Sequence, residues 1–117
     1  MKRILTLALL ASLSSSATAD ESEGQAFGIG MDSCAEFVKN YGAQPALVEN
    51  TYYIWAEGFW SGMNLHATAA SQPARRLASI DMRSAKVEIR VYCDRHPLMP
   101  YYDALLPIYF KLPTLPK

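Results

Sequence analysis

Residues 51–70 carry the densest apolar pattern of the chain, with five aromatic side chains and no proline. Apolar residues recur at intervals of three and four through Tyr52, Trp55 and Phe59, which is the spacing of one buried helix face. Three further residues widen this stripe to more than half of the helix circumference: Tyr53, Trp60 and Met63. A helix that is apolar over so much of its surface must be covered on most sides or must bind something. We therefore predict a central helix against which the other elements pack.

Two glycines, Gly58 and Gly62, lie within this helix, although each costs about 1 kcal/mol in helix propensity. They are four residues apart and therefore lie on the same side of the helix. We predict that they serve packing, as a groove that admits another helix backbone or a large ring. Trp55 and Phe59 are expected to contribute to the same packing surface.

A short helix is predicted before the central one. Ser33 and Glu36 have the spacing of a capping box, which would start a helix at Cys34. Gly42 is a natural left-handed stop, which gives this helix about two turns.

Two more helices are predicted after residues 71–81, a loop that contains Pro73. Asp81 is a good N-cap for residues 82–94, where length and the cap favour a helix. The alternation of Val87, Ile89 and Val91 is also typical of a strand, so the pattern leaves both open. A last helix is predicted from Pro100, with a kink or a break into two turns at Pro107.

Together these elements predict an all-α domain, a small bundle of about four helices. The predicted core of this bundle consists of Tyr52, Trp55, Phe59, Ile89, Leu105 and Tyr109.

The first 19 residues have the organisation of a secretory signal peptide. A basic start precedes an apolar run over residues 4–13, and Ala17-Thr18-Ala19 fits the small-residue cleavage pattern. We therefore expect cleavage after Ala19, export to the periplasm or beyond, and no membrane span. The mature chain divides into a flexible N-terminus at residues 20–30, whose end could dock through Phe27 and Ile29, the helical domain at residues 31–113 and a C-terminal tail at residues 114–117.

Charge and cysteine content narrow the function further. Removal of the leader leaves nine basic and eleven acidic residues, a slightly negative net charge. We therefore expect no nucleic acid partner, since proteins that bind nucleic acid carry an excess of basic residues. Cys34 and Cys93 are the two cysteines, and an even pair in an exported chain is most simply one disulfide. A reactive thiol or a metal site is the alternative, but the chain has no third cysteine and no CxxC spacing.

No spacing brings a nucleophile and a base together, so we expect neither an enzyme nor a cofactor. His66 and His96 are the two histidines, and packing roles are favoured over a metal site for both. Burial of Glu57 among aromatic residues would raise its pKa. The favoured alternative is that Glu57 faces water or pairs with an arginine such as Arg83 or Arg90. Asn64 lies on the crowded central helix, and its amide could cap or cross-link the loops. The exposed pair Arg75-Arg76 could hold an anion or be simply solvated.

The chain resembles the small exported helical proteins of the HdeA/HdeB type. The resemblance rests on Ser33-Cys34-Ala35-Glu36-Phe37, which is similar to that family's T-C-E-D-F segment, on Trp55-x-x-Gly58, and on Cys93 with Pro97 before a last helix. It implies a disulfide-bonded periplasmic domain that dimerises near neutral pH. It further implies an ATP-independent chaperone that exposes apolar surface to acid-unfolded clients.

A second resemblance is to the Tai-type immunity proteins that neutralise type VI secretion effectors. It rests on Tyr52-x-x-Trp55-x-x-Gly58-Phe59-x-x-Gly62 and on Tyr92-Cys93 with Pro97. It implies tight binding of a single toxin through a fixed surface. An accessory of an envelope complex is a third alternative.

These resemblances and the composition favour a non-enzymatic protein-binding domain, with an acid-stress chaperone as the preferred form. In that form Tyr53, Trp60 and Met63 are expected to supply apolar contact area. Protonation of Glu57, Asp81 and Asp94 is expected to loosen the fold in acid.

Overall fold

The structure of this chain, a computed structural model, describes residues 26–116. It contains four α-helices: α1 Cys34–Ala43, α2 Pro45–Ala69, α3 Met82–Arg95 and α4 Leu105–Phe110. Short 3-10 turns occupy Ile29–Met31, Leu77–Ser79 and Tyr101–Ala104. Within residues 26–116 the only β-type pairings are two isolated bridges, Ser33 with Pro100 and Arg75 with Thr114. The all-α prediction is confirmed, whereas the expected signal peptide lies outside the described residues.

The helix α1 begins with the predicted capping box. The Ser33 hydroxyl accepts from the Glu36 amide at 3.2 Å, and the Ser33 amide donates to the Glu36 carboxylate at 3.0 Å. The predicted stop at Gly42 is wrong, because the helix continues to Ala43 and the Gln44 amide still donates to the carbonyl of Asn40. Pro45 then begins α2 directly, since proline lacks the amide hydrogen that a first helical residue does not need.

The helix α2 is longer than predicted and is rotated relative to the predicted stripe. It starts at Pro45 rather than near residue 51, and its buried side chains are Tyr52, Tyr53, Ala56 and Trp60. Of the predicted core, Tyr52, Ile89, Leu105 and Tyr109 are buried, as expected. Trp55 and Phe59 are only partly buried and pack against the edge of the core. An apolar stripe this wide has no unique centre, so periodicity alone could not fix which side faces inward.

Residues 82–94 form a helix, so the helical prediction is confirmed and the strand alternative is wrong. Asp81 accepts from the Ser84 amide at 2.8 Å and caps α3. Ala85, Ile89 and Cys93 are buried four residues apart, while Val87 is exposed. A spacing of four is the helical one, and it overrides the local alternation.

A disulfide between Cys34 and Cys93 joins the first turn of α1 to the last turn of α3. Both cysteines are fully buried. Backbone hydrogen bonds from Cys34 to the Met99 carbonyl at 2.7 Å and from Ala35 to the Pro97 carbonyl at 2.9 Å hold the same junction. The start of α1 is therefore fixed by covalent and backbone contacts together.

The last helical segment is divided, as expected, but the break comes before Pro107. Residues Tyr101–Ala104 form a 3-10 turn and α4 follows from Leu105. Pro107 is the third residue of α4, where the first-turn amides have no helical acceptor, so its missing hydrogen costs little.

An aromatic cluster joins these elements. The rings of Phe37, Tyr52 and Tyr101 lie 4.9 to 5.0 Å apart, centroid to centroid, and bring α1, α2 and the turn before α4 together. In the part of the chain that the structure describes, no helix is both long enough and apolar enough to cross a membrane.

Candidate functional site

Two of the three side chains expected to supply apolar contact area belong to the core. Tyr53 is 5% exposed and Trp60 is 1% exposed. The Trp60 indole donates to the carbonyl of Leu105 at 3.0 Å, which ties α2 to α4. Met63 is half-buried against the same core. In this folded state Tyr53 and Trp60 are buried, so their expected contact with a partner stays a prediction for an opened form.

Trp55 packs against the N-terminal segment, residues 27–31. Its indole donates to the Phe27 carbonyl at 3.1 Å, and its ring stacks on Phe59 with centroids 5.4 Å apart. A Cβ at Gly30 would lie 2.1 Å from the Trp55 ring, and one at Gly28 would lie 2.9 Å from the indole nitrogen. Gly28 also has a φ of +96°. These two glycines let the segment dock on the tryptophan. Trp55 therefore packs against this segment, and Phe59 packs against Trp55 and Tyr102.

The expected packing role of Gly58 and Gly62 is wrong for the described fold. A Cβ at either position would meet no atom within 4 Å, and both residues are exposed. No helix or ring of residues 26–116 enters the groove that they form. The two glycines instead leave a shallow notch on the solvent side of α2.

That notch lies in an exposed apolar row, which we call the outer face of α2. Leu47, Ile54 and Leu65 are 63%, 67% and 73% exposed, and they recur with Gly58 at helical spacing. Charged groups border this face: Glu57 is exposed three residues after Ile54, and Lys86 donates to the Asn50 side chain at 2.7 Å. The other residues of the outer face are small or polar: Asn50, Thr51, Ser61, Gly62, Thr68 and Ala69. The signal was present in the sequence, but the aromatic stripe on the opposite side dominated the pattern.

Asn64 organises a second region, where α2, the following loop and α4 meet. Its amide nitrogen donates to the Arg75 carbonyl at 2.8 Å, and its oxygen accepts from the Arg75 amide and the Tyr109 hydroxyl, each at 2.8 Å. The expectation that Asn64 cross-links a loop is confirmed. It holds Arg75 half-buried, and the Arg75 guanidinium donates to the carbonyl of Leu112 at 2.9 Å. Arg76, by contrast, is exposed.

A cavity of about 370 Å³ opens beside this network. Its walls come from the second half of α2, the loop and α4, and they include Met63, Ala67, Pro73 and Phe110. Arg75 and His66 are its basic lining residues, and no aspartate or glutamate lines it. The volume and the mainly apolar lining are typical of small-molecule sites in proteins.

Among the ionisable groups with shifted pKa values, Tyr52 and Asp81 owe part of the shift to a specific hydrogen bond. Burial, and then the hydrogen bond that its hydroxyl donates to Asp32 at 2.6 Å, raise the pKa of Tyr52 to about 12. The contacts of Asp81 with Ser84 lower the pKa of its carboxyl group, because they favour the charged form.

The remaining acidic residues singled out from the sequence differ in their surroundings. Glu57 and Asp94 are exposed, and neither carboxylate makes a hydrogen bond or ion pair within residues 26–116. Arg90 pairs with Glu49 rather than with Glu57, which joins α3 to α2. Asp81 is therefore the one expected acid-sensitive group whose carboxylate holds a helix end.

His66 and His96 are both exposed and lie in separate places, His66 at the cavity and His96 against the Tyr92 ring at 4.4 Å. Across residues 26–116, no three His, Cys, Asp or Glu side chains are grouped so that they could hold a metal ion.

Comparison of the chain with protein-family models, with curated proteins and with solved structures found no match.

Proposed function

We propose that this protein is an exported, non-enzymatic protein-binding domain that contacts an apolar, uncharged surface of another protein through the outer face of α2. The observation that carries the proposal is the exposure of Leu47, Ile54 and Leu65 in one row. Large apolar side chains that recur along the exposed face of one ordered element are typical of interaction sites.

The outer face is well suited to binding because it is already ordered. The opposite side of α2 is anchored by Tyr53, Ala56 and Trp60 in the core. A preformed surface loses little conformational entropy when a partner arrives. The notch at Gly58 lets a partner's backbone approach the helix closely, since no side chain fills it.

The chaperone form of the proposal is supported by the HdeA/HdeB resemblance and by the way carboxylates join the helices. Glu36 caps α1, Asp81 caps α3, and Glu49 pairs with Arg90 between α2 and α3. Protonation of Asp81, whose pKa is lowered by its contacts with Ser84, weakens the cap of α3 in acid while the disulfide persists. The helices can then separate locally and expose Tyr53 and Trp60 to an unfolded client.

The immunity form is supported by the Tai-type resemblance and by the preformed outer face. A dedicated partner needs one rigid surface at neutral pH and no opening of the core. The two forms therefore differ in their dependence on acid.

Light scattering of a denaturing client tests the proposal. With wild-type protein we expect suppression of client aggregation at about pH 3, below the ordinary pKa of carboxyl groups. Ile54→Lys with Leu65→Lys should weaken the suppression, because binding would bury two lysine charges. Leu98→Lys is the matched control, since Leu98 is 92% exposed and lies outside the outer face.

Equal suppression by the outer-face variant and the control would contradict the proposed surface. If client aggregation is suppressed neither in acid nor at neutral pH, the chaperone form is overturned. The search would then turn to a single partner at neutral pH.

A further inference from the structure

We propose that the cavity beside Arg75 is a binding site for a small apolar monocarboxylate, of the class of medium-chain fatty acids. This inference is independent of the outer face and goes beyond protein binding. It rests on the lining of the cavity, on the charge at its edge and on the way that charge is held.

The walls select an apolar ligand body. Met63, Ala67 and Ala70 line the α2 side, Pro73 lines the loop side and Phe110 lines the α4 side. Phe110 is 57% exposed, so an apolar ligand would remove this ring from water. At about 370 Å³ the cavity is at the small end of the range for ligand sites, which suits a single short chain.

The charge selects the head group. Arg75 and His66 are basic residues among the lining, and no acidic residue accompanies them. Within residues 26–116, Arg75 forms no ion pair with an aspartate or glutamate. Its guanidinium has five N–H donors. Within the described residues it donates one hydrogen bond, to the carbonyl of Leu112. The planar fork that remains matches a carboxylate.

The arginine is also positioned in advance. Asn64 holds the Arg75 backbone by two hydrogen bonds of 2.8 Å, and Arg75 forms a bridge with Thr114 of the C-terminal segment. A solvated surface arginine needs no such support, and the neighbouring Arg76 has an exposed side chain that does not line the cavity. Asn64 is therefore a positioning residue for the charge that would bind the ligand.

Titration calorimetry of the purified oxidised protein tests this site, with octanoate as the probe and octylamine and octanol as probes of equal chain length. Octanoate should bind with one site per chain and more tightly than either analogue. Arg75→Gln should weaken octanoate binding roughly tenfold to hundredfold, the value of hydrogen bonds to a charged group. Arg76→Gln is the matched control and should leave the binding unchanged.

A second variant keeps the test decisive if Arg75→Gln disturbs the loop. Ala67→Leu narrows the cavity from the α2 side while Asn64 and Arg75 are retained, and it should abolish octanoate binding while the helical circular dichroism is retained. The proposal is overturned if octanoate and octylamine bind equally, if Arg76→Gln weakens binding as much as Arg75→Gln, or if Ala67→Leu binds octanoate like the wild type.

Discussion

At the scale of single residues, glycines have three different roles that composition does not separate. Gly28 and Gly30 admit the Trp55 ring, Gly42 lies within α1 in open space, and Gly58 leaves a notch on the outer face. The difference lies in what surrounds each Cα. The apolar pattern draws attention to Gly58 and Gly62, but the glycines that make close contacts, Gly28 and Gly30, lie in the N-terminal segment.

This difference gives a prediction for Gly30→Ala. The added methyl group would overlap the Trp55 ring, so the ring or the segment must move, and we expect the unfolding free energy to fall by about 1–3 kcal/mol. Gly42→Ala is the control and should be neutral or gain up to about 1 kcal/mol, because alanine favours a helix. Urea unfolding followed by tryptophan fluorescence measures both, and equal stability of Gly30→Ala and wild type would contradict the close contact.

Tyr52 gives a second prediction, on alkaline stability. Its pKa is raised to about 12 in the folded state, so the folded protein keeps a proton that the unfolded chain releases near pH 10. This contribution to stability is complete below about pH 10 and is lost as the pH rises toward 12; it amounts to roughly 2–3 kcal/mol at most. Tyr52→Phe should show a smaller loss of stability over that range in urea unfolding. An identical alkaline loss in both proteins would refute the assignment.

At the scale of elements, helix starts that a side chain caps could be predicted from the sequence, whereas the junction between α1 and α2 could not. The capping box at Ser33 and the cap at Asp81 follow from side chains that accept specific amides, and both were identified correctly. The end of α1 and the start of α2 were misjudged, because Gly42 tolerates a helical conformation and Pro45 favours the first position of the next helix. The inward side of α2 depends on contacts such as Trp60 to Leu105, which no local pattern contains.

Asp81 gives the prediction at this scale. Its pKa is lowered in the folded state, so its stabilising effect is present above the unfolded pKa of about 4 and is lost as the pH falls through the folded pKa. Asp81→Asn keeps an acceptor for the Ser84 amide but does not titrate. We expect its stability to fall less than that of the wild type over this acidic range.

Asp94→Asn serves as the control for this experiment, since Asp94 is exposed and caps no helix. Urea unfolding at a series of pH values compares the three proteins. If Asp81→Asn loses stability in acid exactly as Asp94→Asn does, the cap is not a source of acid sensitivity.

At the scale of the whole molecule, the all-α class and the disulfide could be inferred from helical periodicity and an even cysteine pair. The candidate sites could not. The outer face is recognised only once the buried side of α2 is known. The cavity depends on contacts of Asn64 with Arg75 and Tyr109, which lie 11 and 45 residues later in the chain. Contacts at such separations leave no periodic signal.

The disulfide gives the prediction at this scale. The bridge spans 59 residues and restricts the unfolded chain, which in the chain-entropy account is worth roughly 4 kcal/mol. Cys93→Ser should therefore lower the unfolding free energy by several kcal/mol, measured by urea unfolding. Wild type treated with a reductant is the matched comparison and should behave like the variant. A melting temperature unaffected by reduction would show that the bridge contributes little.

NMR can map the proposed contact between the outer face of α2 and another protein residue by residue. An unfolded, uncharged apolar client would be titrated into isotope-labelled protein at about pH 7 and at about pH 3, on either side of the ordinary carboxyl pKa. We predict shifts at Leu47, Ile54, Gly58 and Leu65 and none at Leu98, with Tyr53 and Trp60 joining them in acid. Shifts confined to other surfaces, or equally spread over the molecule, would contradict the account.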